Sequence, residues 1–528
     1  MTKDSHRFLV TDLEGTREKG FEYFKKSDNW PIEEREFHEF SEFVRNLYNN
    51  IIIKIDDTDI SDIALADATF IDQIINIFHY NYARQYCLKE NIELVVGNES
   101  ACLLYPDWEG YGGHYSEMSI VDNKLKRFIR NKLKNFVFNR HLPLRELVNK
   151  FFKSSDIVGI GSNDRIKQEY IIKNKIFCDN RDVYHFIKEA TFLFSKDKER
   201  FSINNTSNLL YKKIINPFIY ELSSANSIFT QGLDLNHVGE VWLNRLMGAY
   251  KIYKGLFLVN MPKSLLVTET GKPHSKLITL VFQRRGCNVF NFHHGNSSAL
   301  LNLKWGYQSL FSHCDNYVVD TEVMRIRFKE LLNNQKNIRK KPINLISVDS
   351  NFYANLRNMK HSINSKKVML MGYPMSLQRY AGAYEFFYYR LTLENIVAEF
   401  IKHSDYNFIY KVHPDKSKEI QSVMTDVSNS IIEKPFEDVW RKAGVLLYTY
   451  VATTTFGYAL NLPIPIVLIE MPETKWYKNM REILEKRVVI IQAEVVDGLI
   501  NIDRDNLINA INLAENRVNL NIAKEITG

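Results

Sequence analysis

Cysteine is scarce in this chain and poorly placed for chemistry. Cys87, Cys102, Cys178, Cys287 and Cys314 are odd in number and widely spaced. They form no C-x-x-C pair and no Cys/His ligand spacing, which excludes a disulfide scaffold or a zinc site and suits a reducing compartment. Long apolar runs are missing too, since no stretch approaches the roughly 18 residues of a membrane span. The first residues, MTKDSHRFLVTDLEG, hold no apolar signal segment. No low-complexity tract occurs, and the net charge of +7 is spread along the chain instead of forming a stripe. That argues against nucleic-acid binding. A solvated Lys-rich surface accounts for the charge, with a weak basic face toward anionic lipid or an acidic glycan as the alternative. These absences predict a soluble, cytoplasmic protein, at most peripheral at the inner face of the membrane.

What is present is an α/β pattern. A chain of 528 residues, 45% hydrophobic and 25% charged, exceeds one core and suits two domains of about 200 to 350 residues. Apolar spacings of three and four predict helices over 37–49 and 70–86. Residues 92–96 read as a strand, followed by a loop that holds Asp107, Glu109 and His114 among glycines and aromatics. The Gly-Ile-Gly at 159–161 is no dinucleotide fingerprint, because Asp164 falls where a third glycine belongs. A helix is expected over 239–253, with Asp234 in the loop that feeds it. Asp234 is read either as a helix cap or as a carboxylate aimed into a cleft. A strand at 264–268, a turn containing Glu269, a helix at 275–285 and a strand at 288–292 form a clear unit, stopped by Gly286. The unit ends at His293-His294-Gly295. Adjacent strand residues point to opposite faces, so His294 is the cleft candidate and His293 the packed one. A further strand is expected at 317–320. Residues 333–365 are Asn/Lys-rich and aperiodic, and read as a linker.

A second α/β unit begins with the strand 367–371. Its informative part runs from Asn407 to Glu470 as strand, turn, helix, strand, turn, helix, strand. Strand 408–412 ends at His413-Pro414, and Pro414 suits the first turn of a helix. Strand 445–448 is followed by Thr453-Thr454-Thr455 and a helix at 454–461. Two strand-to-helix turns therefore set a His and a hydroxyl cluster beside helix N-termini, where free N–H groups and the dipole favour phosphate. Lys411 adds a cation. The Thr hydroxyls serve equally well as caps. Glu470, at a strand end, is read as reaching either a ligand or the surface, and 505–523 reads as a closing helix.

Lys411-Val412-His413-Pro414 resembles the K-x-H-P motif of GT-B glycosyltransferases that build bacterial surface polysaccharides from CMP- or CDP-activated donors: Kdo- and sialyl-type transferases and CDP-glycerol polymerases. Thr453-Thr454-Thr455 stands where they have Ser-Ser or Thr-Ser, and Ala459-Leu460-Asn461-Leu462-Pro463 is similar to the run leading into their last core strand. Tyr448-Thr449-Tyr450 intervenes where that family has a small residue or Asp. The resemblance implies two Rossmann-like domains facing a cleft with a helical N-terminal elaboration: an acceptor-side domain over 1–350, a donor domain over 366–510, and a closing helix and tail over 511–528. It also implies a nucleotide-sugar donor, favoured as a CMP-linked ulosonic acid such as Kdo, and a glycan or lipid-linked glycan acceptor. Neither metal nor cofactor is implied. Lys411, His413, Pro414 and Thr453 to Thr455 would hold the phosphate, with Asp234, Glu269 and His294 as catalytic candidates. Rival expectations are a CDP-glycerol-type polyol-phosphate transferase, a UDP-sugar 2-epimerase-like enzyme and a non-catalytic scaffold.

Overall fold

The structure, a computed structural model, describes residues 7–104, 135–136, 139–143, 156–161, 164–197, 203–268, 273–294, 300–302, 311–333, 341–361, 366–377, 382–415, 417–425 and 428–528. The loop with Asp107, Glu109 and His114 lies outside them, as does Glu269.

The chain begins with a helical unit. Strands β1 (Phe8–Val10) and β2 (Glu93–Val95) pair in parallel, and helices Glu34–Lys54, Thr58–Ala66 and Phe70–Glu90 pack around them. The predicted spacing shows directly in the first long helix, where Phe37, Phe40, Val44, Tyr48 and Ile51 form one buried stripe. Asp57 caps the second helix, its carboxylate accepting from the Ile60 N–H, and Asn91 ends the third in the left-handed region at φ 54°.

Six parallel strands follow: β3 (Ile157–Ile160), β4 (Asp179–Asn180), β5 (Ser264–Val267), β6 (Asn288–Phe292), β7 (Asn316–Val319) and β8 (Asn344–Ser347). Their order is β4-β3-β5-β6-β7-β8. The strands expected at 264–268, 288–292 and 317–320 are β5, β6 and β7. The Gly-Ile-Gly segment, no nucleotide loop, supplies the inner strand β3. Residues 333–365 are not simply a linker, because they contain β8 and the helix Phe352–Arg357. β8 is an edge strand with no fully buried residue, so it lacks the apolar signature by which inner strands are recognised.

A second sheet of six parallel strands holds β9 (Lys367–Met371), β10 (Asn407–Lys411), β11 (Ser430–Ile432), β12 (Val445–Tyr448), β13 (Ile466–Glu470) and β14 (Val489–Gln492). Its order is β11-β10-β9-β12-β13-β14. Counted within the sheet this is 3-2-1-4-5-6, the doubly wound order whose direction reverses between β9 and β12. β12 and β13 are buried along their whole length, as continuous apolar strands require. A small hairpin follows, β15 (Glu494–Val496) and β16 (Leu499–Asn501), turned by Asp497 at φ 51° and Gly498 at φ 75°. The expected closing helix is two helices, Arg504–Ala514 and Leu520–Thr527, because Asn519 caps a fresh start. The last one packs on helices Glu322–Asn333 and Phe352–Arg357 of the first sheet unit. The protein is thus α/β with two Rossmann-like parallel sheets and a helical N-terminal unit. Among the described residues no helix is long and apolar enough to cross a membrane.

Candidate functional site

The carboxyl edge of the second sheet carries the expected phosphate residues on either side of β9. β10 runs into His413 and β12 into Thr453, so the two turns stand two strand spacings apart, about 10 Å. His413 Nδ1 accepts the Asp415 N–H at 3.1 Å, which in a neutral ring leaves the proton on Nε2. This turn delays the next helix to Ser417, so Pro414 precedes it and does not open it. Lys411 is nearly buried, and its ammonium donates to the Val412 carbonyl at 2.6 Å. Burial lowers its pKa, against the pull of Glu437 and Glu433. In this state Lys411 braces the backbone that presents His413. Thr453 starts the seven-residue helix Thr454–Leu460 without a side-chain cap bond. Its hydroxyl lies 3.1 Å from that of Thr455, and Thr454 is exposed.

Beneath these turns lies a buried polar cluster that sequence reasoning missed. Glu394, fully buried on the helix Phe387–Lys402, accepts the Tyr410 hydroxyl and the Tyr373 N–H, both at 2.6 Å. One turn earlier, Arg390 pairs with Glu385, donates to the Thr449 carbonyl and lies 4.7 Å from the Tyr373 ring centre. Tyr450 donates to the Gly372 carbonyl at 3.3 Å and packs edge-on against Tyr373. A Cβ on Gly372 would come within 2.5 Å of the Tyr410 hydroxyl, so only glycine lets Tyr410 reach Glu394. The cluster therefore shapes the crevice where the sheet reverses. Its signal was present in YYRLTLENIVAEF, where Arg390 and Glu394 stand four apart on an otherwise apolar helix face.

Burial pushes the Glu394 carboxyl up to about 8, outweighing the Tyr410 and Tyr373 donors and the Arg390 charge. The folded state therefore holds this proton between the ordinary value of 4.5 and about 8, while the unfolded chain releases it. Stability from this group falls as pH rises through that window. Glu394→Gln, which keeps the shape without the ionisation, should flatten this part of the stability–pH curve. Urea unfolding at intervals from pH 5 to 8 reads the slope, and an unchanged slope would exclude Glu394 as its source.

The carboxyl edge of the first sheet carries a carboxylate–imidazole pair. His294, just past β6, is 68% exposed at its side chain and lies with Nδ1 2.9 Å from Asp164 Oδ2. The other Asp164 oxygen caps the helix Arg165–Lys173 by accepting the Ile166 N–H at 3.1 Å. Burial raises the Asp164 pKa, but the His294 hydrogen bond, the Ile166 N–H and the two neighbouring imidazoles bring the net shift below the ordinary value. A carboxylate held at both oxygens fixes the imidazole so that Nδ1–H points at it, the tautomer in which Nε2 is the basic nitrogen. His293 is buried, with Nδ1 2.7 Å from the Tyr317 hydroxyl and its ring against Phe328, as strand alternation predicts. Asp164 had appeared in the sequence only as a departure from a glycine pattern. Its position directly before an amphipathic helix was the usable signal.

Asp234 is exposed and caps the helix Leu235–Leu256, one oxygen accepting the Asn236 and His237 N–H groups at 3.0 and 3.2 Å. Glu470 is 6% exposed, ion-paired with Arg481 at 2.9 Å and bonded to the Trp476 indole. It braces the loop after β13 and does not stand open to a ligand.

The two edges meet through aromatic rings. Arg165, next to Asp164, stacks at 3.8 Å over Phe352 and pairs with buried Asp320 at 2.5 Å. Phe352 also packs against Tyr458, its ring centre 5.7 Å away on the threonine-cluster helix. One residue past that helix, Asn461 accepts from Arg357 at 2.6 Å. The helix that Asp164 caps and the helix that follows Thr453 are thus both in contact with Phe352. Among the described residues no group of three His, Cys, Asp or Glu could hold a metal ion. No protein-family model matches this chain, and no curated protein matches it.

Proposed function

We propose that the chain is a GT-B-type glycosyltransferase that moves a sugar from a nucleotide-activated donor, favoured as a CMP-linked ulosonic acid, to a bacterial surface glycan. The observation that carries this reading is the His294–Asp164 pair at the carboxyl edge of the first sheet, with Phe352 linking the helix that Asp164 caps to the helix that follows the hydroxyl-bearing turn of the second. His294 Nε2 takes the acceptor hydroxyl proton. The acceptor oxygen bonds to the anomeric carbon, and the bond to the leaving phosphate breaks with its electron pair on phosphate. His413 and the threonine hydroxyls meet that growing charge, a role in which preorganised donors lower the barrier most. Lys411 positions His413 through the Val412 carbonyl. Asp234, a cap, takes no part in this scheme.

A second reading has an observation of its own. In a CDP-glycerol-type polyol-phosphate transferase the acceptor hydroxyl attacks the glycerol-bearing phosphorus, the bridging P–O bond breaks with its electron pair on departing CMP, and the expected base is a histidine at the place of His294. The 2.9 Å bond to Asp164 suits that task equally.

A thermal-shift panel with CMP, CDP, UDP and GDP separates the readings. A ligand at 100 times its dissociation constant adds about 2.7 kcal/mol to the native state. Stabilisation by CMP, lost in His413→Ala and indifferent to EDTA, is the expected result. CMP leaves in both readings, so stabilisation by CDP well beyond that by CMP, as a donor bearing two phosphates requires, moves the assignment to polyol-phosphate transfer. No response to any nucleotide sinks both.

A further inference from the structure

The helical unit touches both sheet units, and its two contacts differ from a hinge. On the first side Asp62, fully buried, takes a bidentate pair from Arg284 at 2.8 and 2.9 Å, and the Tyr253 hydroxyl at 3.1 Å. Asp67, also buried, accepts from Arg245 at 2.8 Å and from the Trp242 indole at 3.1 Å. On the second side Asn76 donates to the Leu377 carbonyl at 2.8 Å, and Glu99 accepts from the Ser376 hydroxyl and the Leu377 N–H at 3.0 and 3.2 Å. The Trp30 ring packs 4.7 Å from that of Phe386, and the Tyr389 hydroxyl reaches the Ile32 carbonyl at 3.2 Å.

The sheet units are also joined directly at two further places. Leu300–Asn302 lies antiparallel to the loop after β13, with Asn302 N to Lys475 O and Tyr477 N to Leu300 O both at 2.9 Å. The last helix is tied to the first unit by Arg327 to the Ile526 carbonyl at 2.8 Å and by Thr321 to the Thr527 carbonyl at 2.5 Å.

Hinge closure needs the moving bodies to be joined by a few residues that absorb the change, with little else to break. Here any opening would separate charge pairs on buried carboxylates, one of them bidentate, on one side or a packed aromatic seam on the other, and such packed interfaces do not deform continuously. We propose that residues 7–104 are a strap that sets the spacing of the two sheet units before any ligand arrives, so that the cleft is preformed and does not close around its substrate. The strap works the same way whichever donor the cleft takes.

The test is a distance measurement across the cleft. Ile172 on the first unit and Leu513 on the second are 53% and 56% exposed, so Ile172→Cys with Leu513→Cys gives two labelling sites. Cys102→Ser removes the partly exposed native thiol, the other four cysteines being buried. Spin labels on these sites should give one narrow distance distribution, unmoved by saturating CMP, CDP, UDP or GDP. Adding Asn76→Ala and Glu99→Ala, which removes three of the bonds to the second unit, should broaden it. Two populations in the parent protein, or a nucleotide-dependent displacement larger than the distribution width, overturns the strap, as does a loosened variant as narrow as the parent. The parent measurement decides whether the cleft is preformed even if the loosened variant fails to fold, the comparison with the loosened variant assigns that to the strap, and neither depends on whether any nucleotide binds.

Discussion

On the proposed glycosyltransferase reading, His294→Ala should abolish most sugar transfer while leaving the fold and the response to nucleotide intact. A positioned general base contributes about 10²- to 10⁴-fold, so loss of the imidazole should cost that much in kcat. The side chain is largely exposed, and the partner it leaves behind, Asp164, keeps its own helix-capping bond and access to water. The melting temperature should therefore stay near that of the parent, and the shift produced by the stabilising nucleotide should persist. Asp164→Asn should fall between, because an amide can present its N–H to Nδ1 and favour the wrong tautomer. The decisive measurement is single-turnover transfer with the donor whose nucleotide stabilises the protein. Activity of His294→Ala within about tenfold of the parent would remove His294 as the base, since that is below the least a general base supplies.

The largest stability effect is expected at Arg487, in the interior of the second sheet unit. Arg487 is fully buried behind the helix Thr454–Leu460. It donates to the Leu460 carbonyl at 3.0 Å, to Leu462 at 2.8 Å and to Ile464 at 3.1 Å. Its charge meets the negative end of that helix, where orphan carbonyls collect. Burial lowers its pKa to about 10, so the cation is retained at neutral pH. Arg487→Ala would orphan these acceptors in the interior, each at about 1–3 kcal/mol before relaxation. A net loss of roughly 3 kcal/mol corresponds to a melting temperature lower by about 6–12 °C for a unit of this size. Arg487→Lys should recover only part of this, because an ammonium cannot spread three bonds as a planar fork does. Calorimetry of the two variants reads the effect. A drop under about 2 °C in Arg487→Ala would mean that the turn satisfies its carbonyls some other way.

The two variants also separate the layers of the candidate site. His294 acts at the surface and its loss should be kinetic. Arg487 acts through the Leu460–Ile464 turn, which sets the angle at which the threonine-cluster helix leaves the sheet, and its loss should lower stability first. Glu394 and Arg390 belong with Arg487: they lie under the crevice and shape it without facing solvent.

Much of the architecture was legible in the order of residues. Inner parallel strands are short apolar runs between turn residues, so β5, β6, β9, β10, β12 and β13 could be read from composition alone. The long helices at the N-terminus showed their buried stripe at the spacing that a 3.6-residue period imposes. The side chains that local geometry controls were legible as well: strand alternation separated His293 from His294, and cap chemistry offered Asp234 its observed role. What remained hidden was pairing across distance. β8 escaped because an edge strand needs no apolar signature. Asp164 could not be recognised as the partner of His294 because 130 residues separate them, and only the β3-β5-β6 order brings their strand ends together. Lys411, Glu470 and Arg487 are strongly charged residues whose sequence contexts say nothing of where the charge is spent. Burial against particular carbonyls and carboxylates decided that, and burial is a property of the whole packed chain, not of any stretch of it.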